Sequence, residues 1–247
     1  MIDQTQWRNY LLIVSSISIN LAVVYSFLIP TAGNRQVAEF EFPQNFDTAQ
    51  AIAFPNLEAI ATPQNFTNQQ QTEVIKARQQ YKYTKNGRAI ALEINYLVGT
   101  RGDVTAYLQN YTDISEQTIK TKSIGQIEGI GHHALFRDNQ QAYLTSCISP
   151  RSLSNVTQKQ FSQYRYENDL NWQTGWKWMQ GQASIRDRRC LWVLLSTPAT
   201  KDSIKADYQA LETAWEDIYQ WWIPNFPKLV SNERSHLNGC CNLNHAS

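Results

Sequence analysis

Charge of either sign is scarce in this chain. Lysine and arginine together number 22, aspartate and glutamate number 21, and charged residues make up 17% of the 247 residues, against about 25% in an ordinary soluble domain. The net charge is +1. A protein that binds nucleic acid needs a basic excess to neutralise phosphates, so this balance argues against a nucleic-acid partner.

Cysteine and histidine are also few, with four of each. The cysteines are Cys147, Cys190, Cys240 and Cys241. The pair in the tail fits no standard zinc spacing, and His132 and His133, as neighbours on a strand, face opposite sides. A phosphate-binding loop, a nucleotide-binding fingerprint and paired catalytic carboxylates are all missing. We therefore expect no metal, no cofactor and no catalytic residue.

The longest stretch without a charge runs from Tyr10 to Ile29. At 1.5 Å per residue its length matches a hydrocarbon core of roughly 30 Å, and Trp7 and Tyr25 lie near its edges, as interfacial aromatic residues do. The stretch predicts a transmembrane anchor over residues 10–30, after a short N-terminal segment at 1–9. A cleaved signal peptide, which needs a shorter apolar run, and a buried core helix are the alternatives. Flanking arginines balance, so charge does not set the orientation.

Composition divides the rest of the chain into three parts. Residues 31–71 contain three prolines among Asn, Gln and short aromatic patches, which predicts a tether and an irregular entry. Residues 72–230 alternate between strand and helix patterns and form the folded domain. Residues 231–247 are interpreted as a disordered tail.

Two hairpins and a buried strand are predicted within the domain. Alternation with period two over 81–98 surrounds Asn86-Gly87, the strongest short hairpin signal. A second hairpin is expected over 133–148, turning at Asp138-Asn139. The apolar run Cys190–Leu195 has no alternation, which is typical of a strand covered on both faces.

Helices follow each group of strands. Asp103 is expected to cap a short helix that ends at Tyr111. Thr157 and Gln160 form a capping box for a helix extending to about Met179. An apolar stripe from Ile204 to Trp222 predicts a second long helix, which Pro224 ends. The order indicates an α+β fold with helices packed on an antiparallel sheet.

Cys147 and Cys190 occupy predicted strands, which leaves three interpretations open. In an extracytoplasmic domain they would form a disulfide bond across neighbouring strands. They are otherwise two buried free thiols, or Cys147 is a nucleophile activated by a nearby histidine.

Two surfaces are candidates for docking a partner. The first is the basic run Arg186, Arg188 and Arg189, whose simpler interpretation is a solvated turn. The second is the tryptophans of the two long helices. Most of these are interpreted as core residues, whereas Trp178 and Trp221 are expected to be exposed.

Several strings resemble one family, the cyanoexosortase A system-associated proteins. They include Gly131-His132-His133-Ala134-Leu135-Phe136, the segment from Ala142 to Arg151, and Asp187-Arg188-Arg189-Cys190-Leu191-Trp192, with Trp221-Trp222-Ile223-Pro224 near the end. An N-terminal Trp7-Arg8 before a single span is also similar. The resemblance extends to about residue 230; the family pattern differs at Ser149 and around Ser152–Ser154.

The resemblance implies a function that the composition does not show. Members are similar to accessory proteins encoded beside exosortases, membrane transpeptidases that process proteins with a C-terminal sorting signal. We therefore expect a non-catalytic, single-pass membrane protein with its domain on the periplasmic side, binding a cyanoexosortase or its sorted substrates. The alternatives are a glycan-binding module for exported polysaccharide, resting on Trp178 and Trp221, and a thiol enzyme using Cys147.

Overall fold

The computed structural model describes residues 4–28, 40–44, 52–53, 73–85, 87–169, 171–179, 187–199 and 203–228. The chain forms two compact units, one from residues 1–36 with 230–247 and the other from residues 37–229. Arg186, most of the predicted tether, and the tail with Cys240 and Cys241 lie outside the described residues.

In the first unit, residues Gln4–Leu28 form the helix α1. Its polar side chains bond back to the helix: Ser18 Oγ donates to the Val14 carbonyl at 2.9 Å, and Asn20 Nδ2 donates to the Ser16 carbonyl at 2.8 Å. These bonds satisfy polar groups within the apolar run. Over the residues described, no helix reaches the combination of length and hydropathy that a membrane span requires.

Over its described residues, the second unit contains an eight-stranded sheet and five helices. The strands are β1 (Ile52–Ala53), β2 (Val74–Lys85), β3 (Arg88–Val98), β4 (Ser123–Ile127), β5 (Gly131–Asp138), β6 (Gln141–Ser149), β7 (Ser152–Asn155) and β8 (Arg189–Pro198). The helices are α2 (Val104–Tyr111), α3 (Glu116–Lys120), α4 (Gln158–Asp169), α5 (Trp172–Met179) and α6 (Ile204–Asn225).

The sheet has the order β1-β2-β3-β8-β6-β7-β5-β4, and β6 also pairs with β5. Neighbouring strands are antiparallel except at one β5–β7 pairing, Gly131 with Ser154, which is parallel. The predicted α+β class is thus confirmed, with a mixed sheet in place of a purely antiparallel one. Strand β8 lies between β3 and β6, which explains its continuous apolar sequence.

Each face of the sheet has its own core. Helix α6 covers one face with Leu211, Trp215, Ile218 and Trp222. Helices α2, α3 and α4 cover part of the other face, around Trp192, Tyr107 and Phe161. The pairs Lys85–Asp217 and Arg88–Asp207 fasten α6 to the β2–β3 hairpin.

The two predicted hairpins are confirmed. Gly87 turns β2 into β3 at φ +74°, where a glycine is unstrained. The second turn uses Asn139 and Gln140 at φ 44° and 65°, one residue later than the sequence indicates. In the first hairpin, the alternating apolar residues face α6, whereas the second hairpin contributes buried residues to both faces of the sheet.

Three boundaries differ from the prediction. The helix begun by the Thr157–Gln160 capping box ends at Asp169, and α5 starts anew because Asn171 Oδ1 accepts the Thr174 N–H at 2.7 Å. Pro224 lies inside the last turn of α6. The folded domain also begins before residue 72, since Phe40 and Phe42 pack on the core and Ile52–Ala53 pair with β2.

Candidate functional site

Cys147 and Cys190 lie on adjacent strands and form a disulfide bond. Cys147 on β6 pairs in register with Trp192 on β8, two residues along that strand from Cys190. The Cα atoms of Cys147 and Cys190 are 5.7 Å apart. Both cysteines are fully buried in the core beneath α2 and α4. A sulfur bonded in this way is not a thiolate, so the bridge leaves no nucleophile at Cys147.

Two residues of the acidic-basic string before Cys190, Asp187 and Arg189, form a buried ion pair. Arg189 donates two hydrogen bonds to Asp187, from Nε at 2.8 Å and from Nη2 at 2.6 Å. Its guanidinium also donates to the Pro227 carbonyl and lies 5.2 Å from the centre of the Phe226 ring. These contacts fix the start of β8 to the chain that follows α6. Because the side chain of Arg189 is buried, its prediction as a docking residue is wrong.

The other predicted docking residues differ in their exposure. Arg188 is exposed, and its carbonyl accepts the Thr100 N–H at 3.0 Å. Trp221 is half-buried against the α6 core and packs edge-on against Trp222 at 4.6 Å, so the expectation that it is exposed is wrong. The side chain of Trp178 lies outside the described residues, as does Arg186.

Within the described residues of the second unit, the exposed tryptophans are instead Trp172 and Trp176, on α5. Their relative exposures are 80% and 50%, and the rings stack with centroids 6.4 Å apart at an interplanar angle of 26°. Tyr166, on α4, is also exposed. The spacing of four residues already placed the two indoles on one side of a helix, but the sequence analysis interpreted that side as core.

The two neighbouring histidines point to different elements, as expected from strand geometry. His132 Nδ1 is 2.9 Å from the hydroxyl of Tyr164 on α4, and His133 Nε2 is 3.0 Å from Glu212 Oε1 on α6. Burial lowers the pKa of His133, although the bond to Glu212 acts in the opposite direction. Among the described residues, no three His, Cys, Asp or Glu side chains are grouped to hold a metal ion.

The Arg101-Gly102-Asp103 tripeptide has a structural role. Asp103 caps α2 by accepting the Thr105 N–H at 3.0 Å, as predicted. Gly102, at φ +69°, lies against the Phe161 ring, and its carbonyl accepts Asn155 Nδ2 at 2.8 Å. The turn therefore joins α2 to the strand before α4.

A cleft of about 400 Å³ opens on the sheet face that carries α2 and α3. The cross-strand row Lys82, Ala91, Ser196 and Tyr143 and the next row with Gln80, Glu93 and Leu194 form its floor. The chain after α2 and the β5–β6 turn form its walls, which include Tyr111, Asp113, Asp138 and Asn139. This volume lies within the range of small-molecule sites, about 300–1,000 Å³.

The side chain of Glu93 is held in the cleft by three hydrogen bonds. It accepts hydrogen bonds from Arg78 Nη2 at 2.5 Å, Asn95 Nδ2 at 3.0 Å and Gln80 Nε2 at 3.1 Å. The Arg78 Nε and Asn95 Oδ1 atoms are buried and have no hydrogen-bond partner in the described part of the chain. The sequence analysis did not identify this cleft.

No protein-family model matches the chain, and neither a curated protein nor a solved structure is significantly similar to it.

Proposed function

We propose that this protein is a membrane-anchored, non-catalytic accessory protein of an exosortase-type protein-sorting system, and that it acts by binding the exosortase or a sorted substrate. The observation that carries the binding role is the exposed stack of Trp172 and Trp176. Large aromatic residues that lie exposed side by side mark interaction surfaces, because their burial by a partner releases apolar area from water.

The membrane anchor in this proposal rests on the uncharged run from Tyr10 to Ile29. Extracytoplasmic placement of the domain is supported by the Cys147–Cys190 disulfide, since such bonds persist in oxidising compartments. Several residues that carry the family resemblance have structural contacts in this domain, so they favour a common fold over a common active site. Asp187, Arg189 and Cys190 hold the start of β8 in place.

Photo-cross-linking in native membranes tests the binding role. A benzophenone amino acid replaces Trp172 in one full-length variant and Glu216, an exposed residue of α6, in a matched control. We expect the first variant to be cross-linked to an exosortase or to a protein with a C-terminal sorting signal, as identified by mass spectrometry. Equal labelling from both positions, or repeated absence of either partner, would contradict the proposal.

The thiol state of the purified membrane protein tests the non-catalytic part. Alkylation before reduction, followed by peptide mapping, is expected to recover Cys147 and Cys190 in one linked, unalkylated peptide pair. A free Cys147 that reacts rapidly would revive the thiol-enzyme alternative, and its replacement by serine would then have to abolish function while leaving the fold intact.

A further inference from the structure

The floor of the cleft on the α2–α3 face contains two small side chains between longer ones. Ala91 and Ser196 are paired in register and are flanked by Lys82 on β2 and Tyr143 on β6. The strands beneath them are central in the sheet, so the floor is a rigid surface. A rigid concave surface with a few fixed polar groups is the usual form of a small-molecule site.

Glu93 is a pre-oriented acceptor in this floor. A carboxylate offers about four acceptor directions, and three donors are fixed on Glu93 at 2.5–3.1 Å. Arg78 is held by the same carboxylate, with an Nε–H that has no partner in the described part of the chain.

Two tyrosine rings line the cleft, Tyr143 in the floor and Tyr111 in the wall, and each packs against another aromatic ring of the domain. Tyr143 stacks on Phe136, with centroids 5.1 Å apart at 11°, and Tyr111 lies 6.0 Å from the Trp192 ring. Burial raises the pKa of both hydroxyls, so they stay protonated and able to donate at neutral pH. Each ring also presents apolar area to the cleft.

The walls also contain carboxylate and amide groups. Asp138 is fixed by Thr118 Oγ1 and by Asn139 Nδ2, both at 2.8 Å, and Asp113 lies on the chain after α2. Together the cleft offers carboxylates, planar amides and tyrosines, with Arg78 already paired to Glu93. Carboxylates and amides can each bond two adjacent hydroxyls. Among the described lining residues, the carboxylates Glu93, Asp113 and Asp138 outnumber the cations Arg78 and Lys82, and this excess of negative charge disfavours an anionic ligand.

A peptide strand is a poorer fit to this surface. Strands β3, β8 and β6 beneath the cleft are each paired on both sides, so their backbone groups are not available to a bound strand. From the fixed carboxylate, the two tyrosine rings and the excess of carboxylates, we propose that the cleft binds a neutral mono- or disaccharide. Its hydroxyls would bond Glu93, Asp113 and Asn139, and its C–H face would pack on Tyr143. This inference does not depend on the sorting role.

Saturation-transfer NMR on the full-length protein in detergent tests the proposal. The probes are glucose, galactose, mannose, N-acetylglucosamine, cellobiose and chitobiose, with glucuronate as an anionic comparison. We expect transfer to at least one neutral sugar, and we expect its Kd to rise about tenfold or more in Asp113→Asn combined with Tyr143→Ala. Thermal unfolding of the variant confirms that it is folded.

The matched control is Trp172→Ala combined with Trp176→Ala, which leaves the cleft intact. We expect this control to bind the sugar with unchanged Kd. Absence of transfer from every neutral sugar, or binding that survives the cleft variant and is lost in the control, would overturn the proposal. The measurement uses no exosortase, so it succeeds or fails independently of the sorting role.

Discussion

Gly131 lies so close to β7 that no larger residue fits at its position. The residue has φ +114°, and a Cβ placed there would be 2.4 Å from the Ser154 carbonyl oxygen and 2.7 Å from the Ser154 nitrogen. Ser154 cannot move away easily, since its N–H donates to the Ile130 carbonyl at 2.8 Å. The glycine therefore allows β7 to approach β5.

We expect Gly131→Ala to lower the free energy of unfolding by about 3 kcal/mol, the combined cost of backbone strain and a close contact. Gly129 is the matched control. Gly129 has φ +75°, but a Cβ added there would meet no described atom within 4 Å. Gly129→Ala should therefore cost only about 1–2 kcal/mol. Urea unfolding of the two variants measures both values, and equal losses would show that crowding against Ser154 is unimportant.

His133 makes stability depend on pH. Burial lowers its pKa in the folded protein, and the groups facing it are Glu212 on α6 and the neighbouring His132. The unfolded chain binds this proton more readily, with a pKa near 6.5. The contribution of neutral His133 to the free energy of unfolding is therefore fully present above about pH 6.5. It is lost as the pH falls through the lower pKa of the folded state.

Urea unfolding between about pH 7.5 and about pH 5.5 checks this dependence. We expect the free energy of unfolding of the wild-type protein to fall toward acid pH, and His133→Gln to remove part of that fall. His132→Gln leaves the buried ring and Glu212 in place and should keep it. An unchanged slope in His133→Gln would assign the dependence to other groups.

At the scale of elements, local signals predicted most of the hairpins and helices. Asn86-Gly87 and the period-two alternation predict β2 and β3, and the Thr157–Gln160 box predicts the start of α4, because each signal lies within a few residues. The break between α4 and α5 was missed. Asn168, Asp169 and Asn171 are poor helix formers, yet three such residues do not say whether Asn171 will cap a new helix.

Exposure of an element is harder to derive than its existence. Trp172 and Trp176 share one side of α5, as the sequence indicates, but whether that side meets the core depends on how α5 packs. We expect Trp172→Ala with Trp176→Ala to change the free energy of unfolding by no more than about 0.5 kcal/mol. Trp215→Ala, at a fully buried position of α6, should cost about 3–5 kcal/mol.

Chemical unfolding of these variants provides the comparison, and the native-membrane cross-linking described above provides the functional readout. A loss of stability in the α5 double variant comparable with that of Trp215→Ala would show that the indoles pack against the domain. The surface would then not be available to a partner.

At the scale of the whole molecule, the cleft could not be predicted from the sequence because its parts are far apart in the chain. Arg78, Glu93, Asp138 and Ser196 meet only through the strand order β2-β3-β8-β6, its register and the pairing of β5 with β6. The Cys147–Cys190 pairing was one of three interpretations for the same reason. Local patterns identified both strands, but only their pairing brings the Cα atoms to 5.7 Å.

The disulfide links residues 43 positions apart and closes a loop that contains β7, α4 and α5. Its loss frees this loop in the unfolded state, so we expect reduction to lower the free energy of unfolding by roughly 2–4 kcal/mol. Urea unfolding with and without dithiothreitol measures the difference. Cys147→Ala with Cys190→Ala should be less stable and insensitive to the reductant, whereas Cys240→Ser with Cys241→Ser should keep the sensitivity. If the wild-type protein unfolds identically in both conditions, the two strands are held by their backbone pairing and by packing without help from the disulfide, and the argument for an oxidising compartment loses its structural basis.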